Sequence, residues 1–248
     1  HGRHGWLRLT PAYSVRMVED ILDRAPARQR VLDPFCGTAT TALSAANHGH
    51  DAVTTDINPF LVWLGKAKTD HYTARDIERA QESGAAVSRA ARHQTDRVAL
   101  PTLHNIERWW PPAALDYLSR LKHAVDSAAD AASREGALLR VAFCRTLIAS
   151  SNAAFNHQSM SFKDDTQGVL DMAIDYAAMF DRDLREVLRG AATNPPGQAR
   201  VHLHDARALS TMAEGPFDLV ITSPPYANRM SYIRELRPYM YWLGLLST

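Results

Sequence analysis

The amino-acid sequence predicts an α/β protein built on a doubly wound, mostly parallel β-sheet with a large helical insertion. Short apolar segments of strand character alternate with helix-forming segments near both ends of the chain. Such alternation is typical of parallel sheets, because a parallel connection needs a crossover helix. Between these two regions, over residues 73–194, the patterns are helical and strand-like alternation is nearly absent.

Each element can be placed from its apolar periodicity and from the turn and cap residues that flank it. Ser14 is the predicted N-cap of the first helix, and Pro59 suits the first position of another. In chain order, the sequence predicts a helix over 14–25, a strand over 30–33, a helix over 40–47, a strand over 51–55, a helix from 59, helical segments over 74–97, 112–132, 135–150 and 167–189, strands over 200–204 and 217–222, and a helical tail over 230–246.

The predicted sheet has four strands, and more strands are expected where the helical tail stands. Three explanations remain open at this point. The chain is a fragment, a partner chain completes the sheet, or the fold lacks its last strands.

Composition excludes several classes of protein. The net charge of +1 is not that of a strongly basic DNA-coating protein, so nucleic-acid contacts need a local patch. No apolar run is long enough to span a bilayer, and no signal peptide is evident. Cys36 and Cys144 have no CxxC partner, so we expect reduced thiols, a cytoplasmic protein and no metal site.

Distinctive residues follow all four predicted strands. Asp33 opens the turn Pro34-Phe35-Cys36-Gly37-Thr38, Asp56 and Asp205 end two further strands, and Ser223-Pro224-Pro225-Tyr226 follows the fourth. In a doubly wound sheet, ligands bind at the carboxyl ends of the strands, near the point where the strand order reverses. Either acid alone is typical of a helix cap, but their joint occurrence at strand ends favours a ligand site.

These residues suit an adenosine ligand. Gly37 lets a ligand approach the backbone, Asp56 is placed to bind ribose hydroxyls, and Asp205 can accept a hydrogen bond from an adenine amino group. The turn has one glycine instead of the GxGxxG of dinucleotide sites, which disfavours NAD.

The Ser-Pro-Pro-Tyr segment suits the binding of an amino group. Two prolines make a stiff, extended backbone without competing amide donors. Ser223 Oγ and the Pro224 carbonyl can then accept hydrogen bonds from an NH₂ group and orient its lone pair. Tyr226 offers a ring face on which a flipped base can stack.

The segments DPFCGTATT and TSPPY resemble the first motif (DPFxGxGTT) and the catalytic motif ((D/N/S)PPY) of the DNA amino-methyltransferases, which methylate cytosine N4 or adenine N6. The SPP form is more typical of the cytosine N4 enzymes. The segment WLRLTPAYS resembles the one that holds the methionine end of the cofactor in this family. The chain departs from the family pattern at Ala39, where a second glycine is usual.

The resemblance implies a Rossmann-like class I methyltransferase fold, S-adenosylmethionine as the cofactor, and a site-specific DNA methyltransferase with cytosine N4 favoured. It implies a catalytic domain of residues 1–72 and 195–248, with the helical insertion 73–194 as a candidate target-recognition region. The expected catalytic residues are Ser223, Pro224, Pro225 and Tyr226. The expected cofactor-binding residues are Thr10, Pro11, Asp33, Pro34, Phe35, Cys36, Gly37, Thr38, Thr40, Asp56, Ile57, Asp205 and Ala206.

Candidate DNA contacts are Arg229 and Arg234 in the tail, and Asn156 and Gln158 in the insertion. Arg229 and Arg234 suit phosphates, although a solvated helix face is an equally good interpretation of them. Asn156 and Gln158 suit base edges, although an ordinary loop is the favoured interpretation of that segment. A restriction enzyme is a candidate partner.

Two other functions remain open: an RNA methyltransferase, such as a tRNA guanine N2 enzyme, and a non-catalytic cofactor-binding or DNA-recognition subunit. The intact SPPY segment favours an enzyme. The covalent cytosine C5 mechanism is disfavoured, because Cys36 lies in the cofactor turn and the sequence has no Pro-Cys pair.

Overall fold

The computed structural model describes residues 2–7, 9, 13–154, 161–162, 174–225 and 232–246. The helices and strands in chain order are α1 (Val15–Leu22), β1 (Arg30–Asp33), α2 (Thr40–Asn47), β2 (Asp51–Asp56), α3 (Pro59–Thr69), α4 (Ala74–His93), α5 (Ile106–Trp109), α6 (Pro112–Ala128), α7 (Arg134–Ala149), β3 (Ala153–Ala154), β4 (Ser161–Phe162), α8 (Tyr176–Ala191), β5 (Gln198–Leu203), β6 (Leu219–Val220) and α9 (Tyr232–Trp242).

The chain divides into two compact units. The sheet unit comprises His1–Tyr72 and Gly190–Met230, and the helical unit comprises Thr73–Arg189 and Ser231–Thr248. The sequence assigned the C-terminal tail to the catalytic domain, whereas the structure places it in the helical unit. The cause is apolar packing within that unit, since Trp242 of α9 is 3% exposed and its ring lies against those of Trp110 and Phe143.

The sheet unit confirms the predicted α/β class. Its four strands lie in the order β5-β2-β1-β6, and all three neighbouring pairs are parallel. The chain therefore moves outward from β1 to β2 and β5, then returns to the other side of β1 to form β6. The strand order reverses between β1 and β6, which is where such sheets bind ligands.

An apolar cluster joins α1 and α2 to the sheet. Ala42 and Ala45 of α2 belong to it and are fully buried, and their small side chains allow the helix to approach the strands closely. The other buried members of the cluster are Val18, Leu22, Val31, Cys36, Ala39, Ala52, Val62, Val201 and Ile221.

Several boundaries differ from the predicted ones. Helix α1 ends at Leu22 instead of 25, and the side chain of Ser14 makes no capping hydrogen bond. Strand β6 is reduced to two residues, because only Leu219 and Val220 pair with β1. The short antiparallel pair β3-β4 was not predicted. By contrast, α3 begins at Pro59 as expected, with the Asn58 side chain accepting hydrogen bonds from the Phe60 and Leu61 amides.

The helical unit is a packed core of long helices. Helix α4 approaches its neighbours closely at Gly84, where a Cβ atom would lie 2.1 Å from Leu184 Cδ2. Trp110 is fully buried and its indole N–H donates to the Leu147 carbonyl at 2.8 Å. Among the helices described, none has the length and apolarity needed to cross a membrane.

Three residues of the sheet unit, Arg3, Tyr72 and Asn194, form what we call the crossing cluster. It joins the point where the chain leaves the sheet unit to the point where the chain re-enters it. The Asn194 side chain accepts from the Tyr72 amide at 2.9 Å and donates to the Tyr72 carbonyl at 2.8 Å. Its Oδ1 also accepts from Arg3 at 2.7 Å. Arg3, which is 5% exposed, lies over the Tyr72 ring at 5.0 Å.

We expect Asn194→Ala to lower the free energy of unfolding by about 1–2 kcal/mol, because it removes both side-chain hydrogen bonds to the Tyr72 backbone and one of the acceptors of the Arg3 guanidinium. Urea unfolding of the purified chain would measure the change. The neighbouring substitution Thr193→Ala is the control and should change the free energy by less than about 0.5 kcal/mol. Equal losses in the two variants would contradict the assigned role of Asn194.

Candidate active site

The parallel sheet brings the predicted site residues to one edge. Because all four strands point the same way, their carboxyl ends lie side by side in the order β5, β2, β1, β6. These ends carry, in that order, Asp205, Asp56, Asp33 and Ser223. Asp33 and Ser223 therefore lie on opposite sides of the point where the strand order reverses.

The segment 33–39, here called the cofactor turn, is held to β2 by hydrogen bonds. The Cys36 amide donates to the Thr55 carbonyl at 2.7 Å, and the Thr55 hydroxyl donates to the Pro34 carbonyl at 2.8 Å. The Gly37 amide donates to Asp56 Oδ2 at 3.1 Å. Gly37 has a φ of 51°, in the left-handed region that glycine adopts without a Cβ penalty.

Asp56 lies half-buried at the end of β2. Its Oδ2 binds the Gly37 amide, and its Oδ1 accepts from the Asn58 amide at 2.9 Å. Burial raises the pKa of this carboxyl group. A carboxylate has about four lone-pair sites, so acceptor capacity remains for a ligand. The next residue, Ile57, is 73% exposed and presents an apolar surface beside the acid.

Asp33 is the most deeply buried acid of the site, at 1% exposure. Its Oδ1 accepts from the Phe35 amide at 3.1 Å and from the Thr222 hydroxyl at 2.7 Å. Its Oδ2 has no hydrogen-bond partner among the residues that the structure describes. Burial raises the pKa of Asp33 to about 6. Because an unsatisfied buried carboxylate oxygen is costly, this atom is suited to a donor supplied by a ligand.

Sequence reasoning missed three hydroxyl-bearing residues around Asp33. The Tyr13 hydroxyl contacts the Thr41 hydroxyl, and the Thr41 hydroxyl donates to the Ile221 carbonyl at 3.2 Å. Thr222 completes the set through its bond to Asp33. All three lie within the segments WLRLTPAYS, DPFCGTATT and TSPPY, so their positions offered a signal, although none of them was predicted as a site residue.

Lys68 of α3 is a fourth residue that the sequence did not indicate. It is 1% exposed, and its ammonium group donates to the carbonyls of Thr38 at 3.0 Å, His4 at 3.4 Å and Leu7 at 3.4 Å. It therefore joins the cofactor turn to the N-terminal segment 2–7. Burial lowers the pKa of Lys68 to about 8.

Asp205 binds a neighbouring cation. Its carboxylate accepts from the Arg207 side chain at 2.6–3.1 Å and from the Arg207 amide at 2.9 Å. These hydrogen bonds lower the pKa of Asp205 to about 2. Ala206, which follows it, is half-buried at the start of a short 3₁₀ helix.

The segment 223–225, here called the clamp loop, follows β6 directly. Ser223 is half-buried, whereas Pro224 and Pro225 are exposed. The Ile221 amide donates to the Leu32 carbonyl at 3.1 Å, which continues the pairing of β6 with β1 as far as the loop. The stem of the clamp loop is thus fixed to β1, while its prolines remain accessible.

Several predicted site residues lie outside the described residues: Thr10, Pro11, Tyr226, Arg229, Asn156 and Gln158. Arg234 lies exposed on α9 of the helical unit. Thr38 and Thr40 are buried in the sheet unit, and their hydroxyl oxygens are 3.2 Å apart. Over the described ranges, no group of three or more His, Cys, Asp or Glu side chains is arranged to hold a metal ion.

Ala39 has a φ of 62° and a ψ of 33°, a left-handed conformation that costs a residue with a Cβ atom about 1–2 kcal/mol. We expect Ala39→Gly to relieve this strain and to offset the loss of a buried methyl group, which leaves the free energy of unfolding nearly unchanged. Ala45→Gly, at an equally buried right-handed position in α2, should lower that free energy by about 1–2 kcal/mol. Equal losses, measured by urea unfolding, would contradict the left-handed geometry at Ala39.

The lowered pKa of Lys68 predicts a pH-dependent stability. The folded chain releases this proton near pH 8, whereas an unfolded lysine keeps it until about pH 10.5. The unfolded state binds more protons within this window, so the free energy of unfolding rises with pH. We expect wild type to gain about 1–3 kcal/mol relative to Lys68→Met between pH 7.5 and about pH 10. A pH-independent difference in urea unfolding would contradict the lowered pKa.

Comparisons with known proteins identify the family of this chain. A family profile described as D12 class N6 adenine-specific DNA methyltransferase matches residues 15–237. The Type II methyltransferase M.BsoBI of Geobacillus stearothermophilus is 22% identical over 272 residues, covering 98% of this chain and 53% of the relative. The chain thus spans about half the length of the curated relative it matches, and no solved structure matches it.

The family profile describes adenine N6 specificity and does not support the expected preference for cytosine N4. Since the profile covers most of the chain, the protein belongs to the D12 class N6 adenine-specific DNA methyltransferase family.

Proposed function

We propose that this chain transfers the methyl group of S-adenosylmethionine to the exocyclic amino group of a DNA base. One observation carries the proposal. The hydrogen bond between Thr222 Oγ1 and Asp33 Oδ1, 2.7 Å long, joins the stem of the clamp loop to the cofactor turn. An electrophilic methyl group held at the turn would therefore lie beside a segment suited to hold an amine.

The residues of the sheet edge fit the cofactor. The unpartnered Asp33 Oδ2 suits the ammonium group of its methionine part. The remaining acceptor sites of Asp56 suit the ribose hydroxyls, and the exposed Ile57 side chain suits the face of the adenine ring. Asp205 would accept from the adenine amino group and would share its carboxylate with Arg207. The segment with Thr10 and Pro11 would hold the methionine carboxylate.

When bound, the cofactor supplies a methyl group already activated by its sulfonium. The chain's task is then orientation and exclusion of water. Ser223 Oγ and the Pro224 carbonyl would accept hydrogen bonds from the target NH₂ group, so that its lone pair points at the methyl carbon. The nitrogen–carbon bond forms as the carbon–sulfur bond breaks, and the amine proton passes to solvent. Tyr226 would stack on the flipped base.

Cys36 takes no part in this reaction. It is 1% exposed within the cofactor turn, and burial raises the pKa of its thiol well above the usual value. The thiolate that a covalent mechanism needs is therefore disfavoured at neutral pH.

Adenine N6 is the first candidate for the target amine, because the family profile carries that specificity. Cytosine N4 is the second candidate, because Ser223 stands in the first position of the clamp loop and the SPP form is more typical of the N4 enzymes. Both amines present two N–H donors, so Ser223 Oγ and the Pro224 carbonyl would accept the same hydrogen bonds from either base.

The partners of the chain follow from the same proposal. DNA is the substrate, and the helical insertion would contribute target recognition through Asn156 and Gln158, with Arg229 and Arg234 near phosphates. The Type II designation of the relative supports a restriction enzyme that shares the recognition sequence. The outer edge of β6 would pair with a further strand from a partner chain or from a C-terminal segment.

The test is transfer of labelled methyl from S-adenosylmethionine to unmethylated DNA and, in parallel, to bulk tRNA, with nucleosides identified by mass spectrometry. We expect N6-methyladenine in DNA. Ser223→Ala should lower kcat about 10- to 100-fold without changing the Kd for S-adenosylhomocysteine, because it removes one acceptor for the amine.

Ser210→Ala, the same chemical change at an exposed position of the sheet unit, is the control and should retain wild-type activity. Detection of N4-methylcytosine in DNA would instead identify cytosine N4 as the target amine. Label confined to tRNA would replace DNA with RNA as the substrate, and cofactor binding without any transfer would favour a non-catalytic subunit.

A further inference from the structure

Three hydrogen bonds fix the stem of the clamp loop, and each has its partner in or next to β1 and the cofactor turn. The Ile221 amide donates to the Leu32 carbonyl, and the Ile221 carbonyl accepts from the Thr41 hydroxyl at 3.2 Å. The third bond runs from the Thr222 hydroxyl to Asp33. The first two involve backbone groups of Ile221. Among the described residues, the third is the bond that reaches Thr222, the residue before Ser223.

The third bond also differs in its chemistry. Its acceptor is a carboxylate, and hydrogen bonds to charged groups are shorter and stronger than those between neutral groups. The observed separation of 2.7 Å lies in this short range. The acceptor Asp33 is 1% exposed, so water does not compete for it. Thr222 itself is exposed, so its side chain contributes little apolar burial.

The two oxygens of Asp33 face different groups. Oδ1 is shared by the Phe35 amide of the cofactor turn and the Thr222 hydroxyl, whereas Oδ2 has no partner among the described residues. A cationic donor at Oδ2 would favour the ionised carboxylate, which is the better acceptor for Thr222. Occupation of the cofactor turn would thus strengthen the bond that fixes the clamp loop, and such a coupling acts equally in both directions.

We propose that Thr222 is a positioning residue that couples occupation of the cofactor turn to the placement of the clamp loop, by donating a hydrogen bond to Asp33. The inference rests on the proposed function, since it assigns the cofactor to the turn and the target amine to Ser223 and Pro224. It adds a residue to which the proposed function assigns no contact with the cofactor or the base.

The kinetic test compares Thr222→Val with Thr222→Ser. Valine keeps the branched shape without the hydroxyl, so we expect kcat for DNA methylation to fall about 10- to 100-fold, while the Kd for S-adenosylhomocysteine stays within about threefold. Serine keeps the donor and should recover kcat to within about threefold of wild type. A loss of cofactor affinity with unchanged kcat, or an equal loss of kcat in the serine variant, would overturn the proposal.

Thr69→Val is the matched control for the kinetic test. Thr69 is a buried threonine of the sheet unit whose hydroxyl donates to the Gly65 carbonyl at 2.8 Å, far from the clamp loop in the chain. Thr69→Val makes the same chemical change as Thr222→Val but does not touch the clamp loop. Its kcat should therefore stay within about twofold of wild type. A kcat loss that matches that of Thr222→Val would show a general effect of removing a hydrogen-bonded threonine hydroxyl and would overturn the proposal.

A second readout does not depend on methyl transfer. Amide hydrogen exchange is measured with and without S-adenosylhomocysteine, on peptides that cover residues 35–41 and 217–225. In wild type, we expect the ligand to slow exchange in both peptides. In Thr222→Val, protection should persist in the first peptide and should be lost at the Ile221, Thr222 and Ser223 amides of the second.

The outcomes separate this inference from the proposed function. Equal protection of the clamp loop in wild type and in Thr222→Val would overturn the coupling, whatever the activity on DNA. Ligand binding with coupled protection but without methyl transfer would uphold the coupling and contradict the proposed function. No binding of S-adenosylhomocysteine to wild type would overturn both.

Discussion

Burial of the Asp33 carboxylate constrains the arrangement of the whole sheet edge. A carboxylate removed from water must either find hydrogen-bond donors or take up a proton, and here the raised pKa shows that the donors only partly compensate for the burial. Oδ1 draws its two donors from the cofactor turn and from the segment after β6, which is separated from Asp33 by 189 positions in the chain. Desolvation of one side chain thus favours the pairing of two distant motifs and leaves Oδ2 for a ligand.

Two buried cations, Lys68 and Arg3, fix the N-terminal segment 2–7, whose described secondary structure is a single 3₁₀ turn. Lys68 binds the carbonyls of His4 and Leu7, and Arg3 binds the carbonyls of Lys68 and Ala191 at 3.2 Å each. Cations are well suited to this task, because one ammonium or guanidinium group supplies several donors in different directions. An irregular segment is thereby held in place through its backbone, and Lys68 connects it to the Thr38 carbonyl of the cofactor turn.

The sequence predicts the strands well where local signals are strong. β1, β2 and β5 are short apolar runs that end at an acid or just before one, and turn residues mark those ends clearly. β6 was predicted too long, because its length depends on pairing with β1, which no local pattern encodes. The positions of Asp33 and Gly37 in the turn after β1 could be predicted from the sequence, whereas their roles in cofactor binding stay predictions. Lys68 could not, because a lysine in a helix is usually solvated and only the fold reveals the three carbonyls above it.

The crossing cluster has a consequence for how this family can diversify. Asn194 pairs with the backbone of Tyr72 as a neighbouring strand would, and Arg3 joins the same contact, so the two ends of the insertion are fixed entirely by residues of the sheet unit. These contacts therefore use none of the side chains of the helical unit itself. Under the proposed function, in which the insertion reads DNA, its length and sequence can change while these contacts persist, and target recognition can vary separately from methyl transfer.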